Sequence, residues 1–222
     1  MVKMKIEDLF LTKSDLVADL LGAYTYPYEV LPHIKEYILE VGQRLDENYE
    51  KVKEDVWVHK NAKVDETAHI DGPTIIDEGA EIRHCAFIRG SVIIGKRTVL
   101  GNSCEVKNAI LLDDVQVPHF NYVGDSIFGS HAHTGAGSIV SNLKSDKTNV
   151  TIAHGDGKVE TGLRKVGAFL GDNVEIGCNC VLNPGTVIGP NSRVYPLTMV
   201  RGYIPARSIV KSMDNIVERK DV

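Results

Sequence analysis

Long apolar runs and clusters of basic residues are both missing from this sequence. Crossing a bilayer takes about 18 or more consecutive apolar residues, so no membrane span is predicted. The 25 lysines and arginines are outnumbered by 30 aspartates and glutamates, which gives a formal net charge of −5. A mildly acidic chain without a basic stretch argues against a nucleic-acid partner. The N-terminus lacks the apolar segment of a secretory signal, so we expect a cytoplasmic protein.

Cysteine is also scarce, and its four positions in 222 residues do not form the pattern of a disulfide framework. What the sequence does contain is an aliphatic residue at every sixth position. The positions are Val58, Val64, Ile70, Ile76, Ile82, Ile88, Ile94, Leu100, Val106 and Leu112. The residue four places later is usually small or β-branched, and the residue one place later is often Asp or Gly.

This hexapeptide repeat is typical of a parallel β-helix, in which three repeats complete one triangular coil. We therefore predict an all-β fold in which the aliphatic side chains point inward and stack from coil to coil. Cys104 and Cys180 fall on small inward positions, so packing explains them. The predicted β-helix takes residues 53–210, interrupted by a polar loop at about 141–166 that has no repeat. A loop of this length is typically functional or disordered.

The two ends of the chain lie outside the repeat. We predict a helical extension over residues 1–52, with Ser14 near the start of one helix and a second helix from about Pro32 to Asp46. Short helices cannot bury their apolar stripes alone, so we expect them to dock on the start of the β-helix or on another subunit. The C-terminal tail takes residues 211–222, and its charged part from Asp214 is expected to be a frayed end or a short helix.

The repeat changes phase after Leu112 and resumes at Val123, which places the break at residues 117–122. A break in a strict repeat favours function, because packing alone would keep the period. A tolerated deletion is the alternative. Within the break, His119 is the candidate for acid–base chemistry, since an imidazole accepts a proton near neutral pH. An ordinary surface histidine is the alternative here.

Outward-facing positions one or two coils away carry Arg89, Lys107 and Tyr122. These side chains would hold an anion beside His119.

Three runs of residues resemble a known family: CEVKN at 104–108, PHFNYVGDS at 118–126 and GAGSIVSNL at 135–143. They are similar to the acetyltransferase domain of the bifunctional enzymes that make UDP-N-acetylglucosamine. They resemble still more the archaeal-type sugar-1-phosphate nucleotidylyltransferase/acetyltransferases. The resemblance covers about residues 75–205. It implies a left-handed parallel β-helix that forms a homotrimer, with each site shared between subunits.

The resemblance also implies roles for individual residues. His119 would be the general base that deprotonates the amine of a hexosamine 1-phosphate, with acetyl-CoA as the acetyl donor. A backbone N–H near Ala136 would stabilise the oxyanion, and Asn142 would orient the amine or the thioester.

The remaining matches concern binding. Arg89, Lys107 and Tyr122 match positions that hold the sugar and its phosphate. Cys178 matches a position beside the coenzyme, and Lys147 matches a loop lysine of the archaeal-type proteins. Together with Ala136, these two residues are predicted to bind acetyl-CoA.

One departure from the family is His133, which stands where bacterial members have an asparagine that contacts the sugar. We expect His133 to lie one coil from His119 and to bind substrate, with a changed substrate preference. A metal site at these histidines is the alternative, but no third ligand is evident and the spacing does not fit. No metal is predicted.

A second departure is that residues 1–50 contain no glycine-rich nucleotide-binding loop. Nucleotidylyltransferase activity is therefore not expected from this chain, and a separate protein would supply that step. Two hypotheses follow. The chain is an acetyltransferase acting on an amino-sugar phosphate, or it is a non-catalytic trimeric module that recruits or regulates a nucleotidylyltransferase. A third hypothesis is that the chain is an acyltransferase that acts on a different acceptor.

Overall fold

The computed structural model of the protein describes residues 4–12 and 14–220. Most of the chain winds into a triangular solenoid whose three faces are stacks of parallel strands. The first face contains Val56–His59, Thr74–Ile76, Val92–Ile94, the ends of Glu105–Leu111 and Tyr122–Phe128, and then Ala168–Leu170, Thr186–Ile188 and Tyr203–Ile204. The predicted left-handed parallel β-helix is confirmed.

The other two faces complete each coil. The second face contains Lys63–Val64, Glu81–Ile82, Val99–Asn102, Gln116–His119, His133–Thr134, Glu175–Ile176, Arg193–Val194 and Ser208–Ser212. The third face contains His69–Asp71, Phe87–Arg89, the starts of Glu105–Leu111 and Tyr122–Phe128, and then Ile139–Val140, Val181–Leu182 and Met199–Val200.

The predicted inward ladder forms the core of the solenoid. Ile76, Ile82, Ile88 and Ile94 are each no more than 1% exposed and belong to one continuous cluster. Fully burying a side chain of this size stabilises a fold by about 1.5–3 kcal/mol. Cys104 lies in the same cluster, and burial raises the pKa of its thiol. This cysteine is therefore a packing residue, as predicted.

The break in the repeat lies at two corners between the third and first faces, at Asn108 and Asp125. Val106 pairs with the residue 18 positions earlier, whereas Ala109 pairs with the residue 17 positions earlier, so one residue is missing at Asn108. The same shortening recurs between Gly124 and Ser126. Asn108 and Asp125 both have left-handed backbone, with φ of 44° and 51°.

The prediction that the break falls on residues 117–122 is therefore wrong. Leu111, not Leu112, joins the inner core, and Val117 and Val123 keep the normal spacing of six. Leu112 misleads the sequence pattern because it is also aliphatic and buried, but in the outer cluster against the N-terminal extension.

In the described part of the chain, four helices precede the solenoid: Ile6–Leu9, Ala18–Gly22, Pro27–Val30 and Ile34–Gly42, with 3-10 turns at Asp15–Val17 and Leu31–His33. The predicted second helix is confirmed in a shorter form, because its first turn is 3-10. Ser14 precedes the Asp15–Val17 turn but makes no side-chain cap. The four-residue helices were not predicted, since so few residues cannot show a helical period.

The helices cover the outer side of the first face. Ile75, Ile93 and Ile110 point away from the inner core and pack with Ile34 and Ile38 of the last helix. The extension runs along this face and is not confined to its start. Its Thr12 N–H donates to Asp172 at 2.7 Å, far along the solenoid.

The inserted segment and the tail both form hairpins. Thr151–His154 pairs antiparallel with Gly157–Glu160, and Ile152 is buried against the outer side of the first face. Asn215–Glu218 pairs antiparallel with Ser208–Ser212, so the expectation of a frayed end or a short helix is wrong for these residues. A further strand, Tyr49–Lys53, pairs antiparallel with the first strand of the solenoid. Pairing at each end covers strand edges that would otherwise be open. Residues 221–222 lie outside the described part.

No helix between residues 4 and 12 or between 14 and 220 is both long and apolar enough to cross a membrane.

Candidate functional site

The third face brings the predicted anion-binding residues together. Val106 and Val123 point inward along this face, and side chains alternate along a strand, so Lys107 and Tyr122 point outward in successive coils. Arg89 occupies the coil before them, in the strand that pairs with the start of Glu105–Leu111. These three residues, predicted from widely separated positions, therefore share one surface.

Arg89 is anchored on this surface by an ion pair. Its Nη1 lies 2.7 Å from Oε1 of Glu105. Hydrogen bonding to Glu105 raises the pKa of the guanidinium above its ordinary value. Arg89 is largely exposed, so its charge can face a ligand.

Tyr122 and Asn142 meet above Gly124. The Nδ2 of Asn142 donates to the Tyr122 hydroxyl at 3.2 Å. A Cβ atom at Gly124 would lie 2.6 Å from that hydroxyl, so a larger residue there would displace the Tyr122 side chain from this contact. Burial, and next the charge of Asp125, raise the pKa of Tyr122. The phenol is therefore neutral near pH 7 and able to donate a hydrogen bond.

His119 lies at the corner where the second face turns into the third. Its ring is exposed, and Nδ1 lies 2.7 Å from Oδ1 of Asn102, the residue at the same place in the preceding coil. With an amide oxygen as acceptor, Nδ1 carries the proton and Nε2 keeps its lone pair. Nε2 is thus the atom able to accept a proton.

Ala136 and Cys178 continue this corner in the next two coils. The Gly137 N–H donates to the His119 carbonyl at 3.0 Å, and the Asn179 N–H donates to the Ala136 carbonyl at 2.9 Å. The N–H groups of Gly135 and Gly137 are both used, whereas that of Ala136 has no backbone acceptor in the described part of the chain. Cys178 is exposed. The corner therefore presents an imidazole and a free N–H in succession.

His133 lies in the coil after His119, as expected. In the strand register it stands beside Gln116 and Glu175 on the second face. Ala136 is the residue that follows His119 at the corner. Among the residues that the structure describes, no group of three His, Cys, Asp or Glu side chains is placed to hold a metal ion.

The inserted segment carries two lysines near the site: Lys147, which was predicted from the sequence, and Lys165, which was not. Lys147 is exposed at the tip of a turn, where its N–H donates to the Lys144 carbonyl at 3.0 Å. Lys165 instead returns to the corner that follows the third face, where it pairs with Leu143, and the next residue, Val166, donates its N–H to the Asn142 carbonyl at 3.0 Å. One feature of the sequence could have indicated Lys165, namely its position directly before the hexapeptide repeat resumes.

Lys165 and Arg164 line a cleft of about 520 Å³ with Asn108, Leu143, Leu163, Leu31 and Pro32. Neither cation has a carboxylate within ion-pair distance in residues 4–12 and 14–220. The corner beyond Lys107 therefore adds positive charge to the same end of the site. The surface as a whole offers a proton acceptor at one edge of the third face and cations at the other, which suits an amine that carries a nearby anionic group.

The chain is similar to known proteins over most of the solenoid. Residues 70–194 match the family model of the GMPPB C-terminal domain. The bifunctional sugar-1-phosphate nucleotidylyltransferase/acetyltransferase of Sulfurisphaera tokodaii is 33% identical over 185 residues, covering 74% of this chain and 46% of that protein. The bifunctional protein GlmU of Methanocaldococcus jannaschii is 31% identical over 201 residues, covering 82% of this chain and 47% of that protein.

The chain thus spans about half the length of these curated relatives. Among solved structures, the acetyltransferase domain of PglB from Neisseria gonorrhoeae FA1090, in complex with acetyl coenzyme A, is 13% identical. That match covers 74% of this chain and 57% of the other, with a TM-score of 0.27.

Proposed function

The chain belongs to the family of the GMPPB C-terminal domain and is similar to a sugar-1-phosphate nucleotidylyltransferase/acetyltransferase. From this we propose that it transfers an acetyl group from acetyl-CoA to the amine of a hexosamine 1-phosphate. The observation that carries the proposal is the placement of His119 on the edge of a face that also presents Arg89 and Lys107. An amino-sugar phosphate has the matching pair of groups, because its amine needs a base and its phosphate needs cations.

In the proposed reaction, the amine nitrogen of the acceptor attacks the thioester carbonyl carbon, and Nε2 of His119 takes a proton from that amine. The N–H of Ala136 donates to the oxyanion that develops on the carbonyl oxygen. The tetrahedral intermediate then collapses by breaking the carbon–sulfur bond. The His119 proton passes to the departing thiolate, so the products are the N-acetyl sugar phosphate and CoA.

The other outward-facing residues of the site would bind the acceptor. Arg89, Lys107 and Lys165 would neutralise the phosphate, and Tyr122 would donate a hydrogen bond to the sugar. Asn142, held against Tyr122, would orient the amine or the thioester. His133 lies on the second face of its own subunit. A role in substrate binding therefore requires that His133 of one subunit faces the site of a neighbouring subunit.

A homotrimer is part of the proposal. The third face continues past Tyr122 with Ile139, Val181 and Met199, which are register neighbours and are 39%, 39% and 51% exposed. The first face is already covered by the helices of the extension. An apolar column beside the site suits contact with a second subunit and with the pantetheine arm of acetyl-CoA.

The test is release of CoA from acetyl-CoA, followed with a thiol reagent, with glucosamine 1-phosphate and galactosamine 1-phosphate as acceptors. We expect turnover with at least one of them and a loss of about a hundredfold or more in His119→Ala, the scale of a missing general base. His84→Ala is the matched control, since His84 is exposed at the same corner two coils earlier. Its turnover should stay at the wild-type level.

The competing hypothesis of a non-catalytic trimeric module, partnering a separate nucleotidylyltransferase, predicts neither turnover nor binding of acetyl-CoA. Turnover that His119→Ala leaves unchanged would keep the acyl transfer and remove His119 from its mechanism.

A further inference from the structure

Asp125 is a buried carboxylate at the acceptor end of the site, with only 5% of its surface exposed. Three side chains from the coils before and after it converge on it. The Nδ2 of Asn108 donates to Oδ1 at 2.9 Å, and Nζ of Lys107 lies 3.4 Å from Oδ2. The Nδ2 of Asn142 also donates to Oδ2. A carboxylate this buried is stable in its charged form only with such partners.

The backbone alone does not require an acid at this corner. Asp125 occupies one of the two shortened corners and has φ of 51°. Glycine, asparagine and aspartate all tolerate this left-handed conformation. The equivalent corner of the preceding coil uses the neutral Asn108. The carboxylate therefore has a purpose beyond allowing the turn.

The partners of Asp125 indicate that purpose. Lys107 and Asn142 are two of the residues proposed to bind the substrates, and Asn142 in turn contacts the hydroxyl of Tyr122 at 3.2 Å. One carboxylate thus fixes side chains from one strand of the preceding coil and from the start of the inserted segment. Fixed rotamers of this kind keep a binding site within the narrow geometry that catalysis needs.

We infer that Asp125 is a positioning residue, which holds the Lys107 ammonium and the Asn142 amide where they meet the anionic acceptor. The inference rests on the proposed function. Because Asp125 is buried beneath its partners, it acts through them and does not contact the substrate. The charge of Asp125 also adds to the burial that raises the pKa of Tyr122.

The first experiment compares steady-state kinetics of the wild-type chain and Asp125→Asn, a variant that keeps the size and the left-handed conformation. We expect the KM for glucosamine 1-phosphate to rise about tenfold or more, the scale of charge-assisted hydrogen bonds, while the KM for acetyl-CoA changes little. A merely structural role would instead reduce the folded fraction, which lowers kcat and leaves both KM values unchanged. That second pattern would overturn the inference.

Asp113→Asn is the matched control. Asp113 is a half-buried corner aspartate, and it accepts hydrogen bonds from Ser14 Oγ at 3.2 Å and from the Lys96 N–H at 3.1 Å, away from the third face. Its loss should lower the melting temperature and leave the acceptor KM unchanged.

A double-mutant comparison adds a second readout. Lys107→Ala should raise the acceptor KM in the wild-type background and have little further effect in Asp125→Asn, because the lysine has already lost its fixed position. Fully additive effects would contradict the inference.

If Asp125→Asn does not fold, Asn108→Gly removes one hydrogen bond to the carboxylate while keeping the corner. It should raise the acceptor KM about threefold, and an unchanged KM would count against the inference.

Calorimetric binding of glucosamine 1-phosphate separates this inference from the proposed reaction. Wild-type chain that binds the sugar phosphate without acetylating it would refute the reaction, and the Kd of Asp125→Asn would still decide the role of Asp125. The inference expects that Kd to rise about tenfold. Absence of wild-type binding would overturn both.

Discussion

The Nδ1 atom of His119 lies 2.7 Å from the Oδ1 atom of Asn102, which occupies the same corner one coil earlier. This contact holds the ring in one orientation and assigns the proton to Nδ1. The stacking of coils, at a register of 17 residues here, brings the imidazole of His119 and the amide that orients it together.

We predict that Asn102→Ala lowers kcat by up to about tenfold, the worth of one hydrogen bond, with little change in the KM for either substrate. The reason is that the imidazole loses its preferred tautomer and orientation but keeps its place at the corner. The check is steady-state kinetics at several pH values. A rise in KM without a fall in kcat would show that Asn102 acts in binding instead.

A second prediction concerns the inserted segment. Lys165→Ala should raise the KM for the sugar phosphate about tenfold, because Lys165 returns beside Asn142. Lys147→Ala should instead raise the KM for acetyl-CoA. Lys158→Ala is the control, since its Nζ pairs with Glu160 at 2.9 Å in the exposed hairpin. If the Lys147 variant alone raised the KM for the sugar phosphate, the placement of the acceptor would have to be revised.

A third prediction concerns docking of the helical extension. A Cβ atom at Gly42 would lie 2.6 Å from atoms of the Trp57 ring, which is 5% exposed and rigid. Gly42→Ala should therefore lower the free energy of unfolding by about 1–3 kcal/mol through overpacking. Thermal denaturation gives the measurement.

Gly22→Ala is the control for that change. Gly22 also ends a helix of the extension, but a Cβ there would meet nothing within 4 Å. We expect it to stabilise the protein slightly, by about 0.5 kcal/mol. Equal destabilisation by both variants would mean that the extension does not pack on Trp57 in this way.

A fourth prediction concerns pH. Asp172 is 1% exposed and accepts the N–H groups of Thr12 at 2.7 Å and Ser130 at 2.9 Å. Burial raises its pKa, so the folded protein holds this proton more tightly than the unfolded chain. The stability from this group is therefore complete below the ordinary aspartate pKa of about 3.9 and is lost as pH rises through the raised folded value.

Asp172→Asn removes that dependence and also one hydrogen-bond acceptor. The variant should be less stable than wild type, and the gap in unfolding free energy should shrink as pH rises from about 4. Denaturant unfolding across pH 4 to 7 tests this. A gap that widens with pH would mean that the folded pKa lies below the ordinary value.

The sequence by itself determined the coil and much of the site. Aliphatic residues at a period of six can all be buried only if the chain makes short strands joined by tight corners, so the β-helix follows from local spacing. The outward positions of Arg89, Lys107 and Tyr122 follow from the alternation of side chains along a strand.

Only the tertiary structure decided where the coils shorten and what lies over them. Leu111 and Leu112 are both aliphatic and both buried, on opposite sides of one wall, so no period can tell which of them faces inward. Lys165 is 58 residues from Lys107 in sequence, and the path of the inserted segment brings it to the same cleft as Asn108. Burial and proximity across coils depend on long-range packing, which a local pattern does not contain.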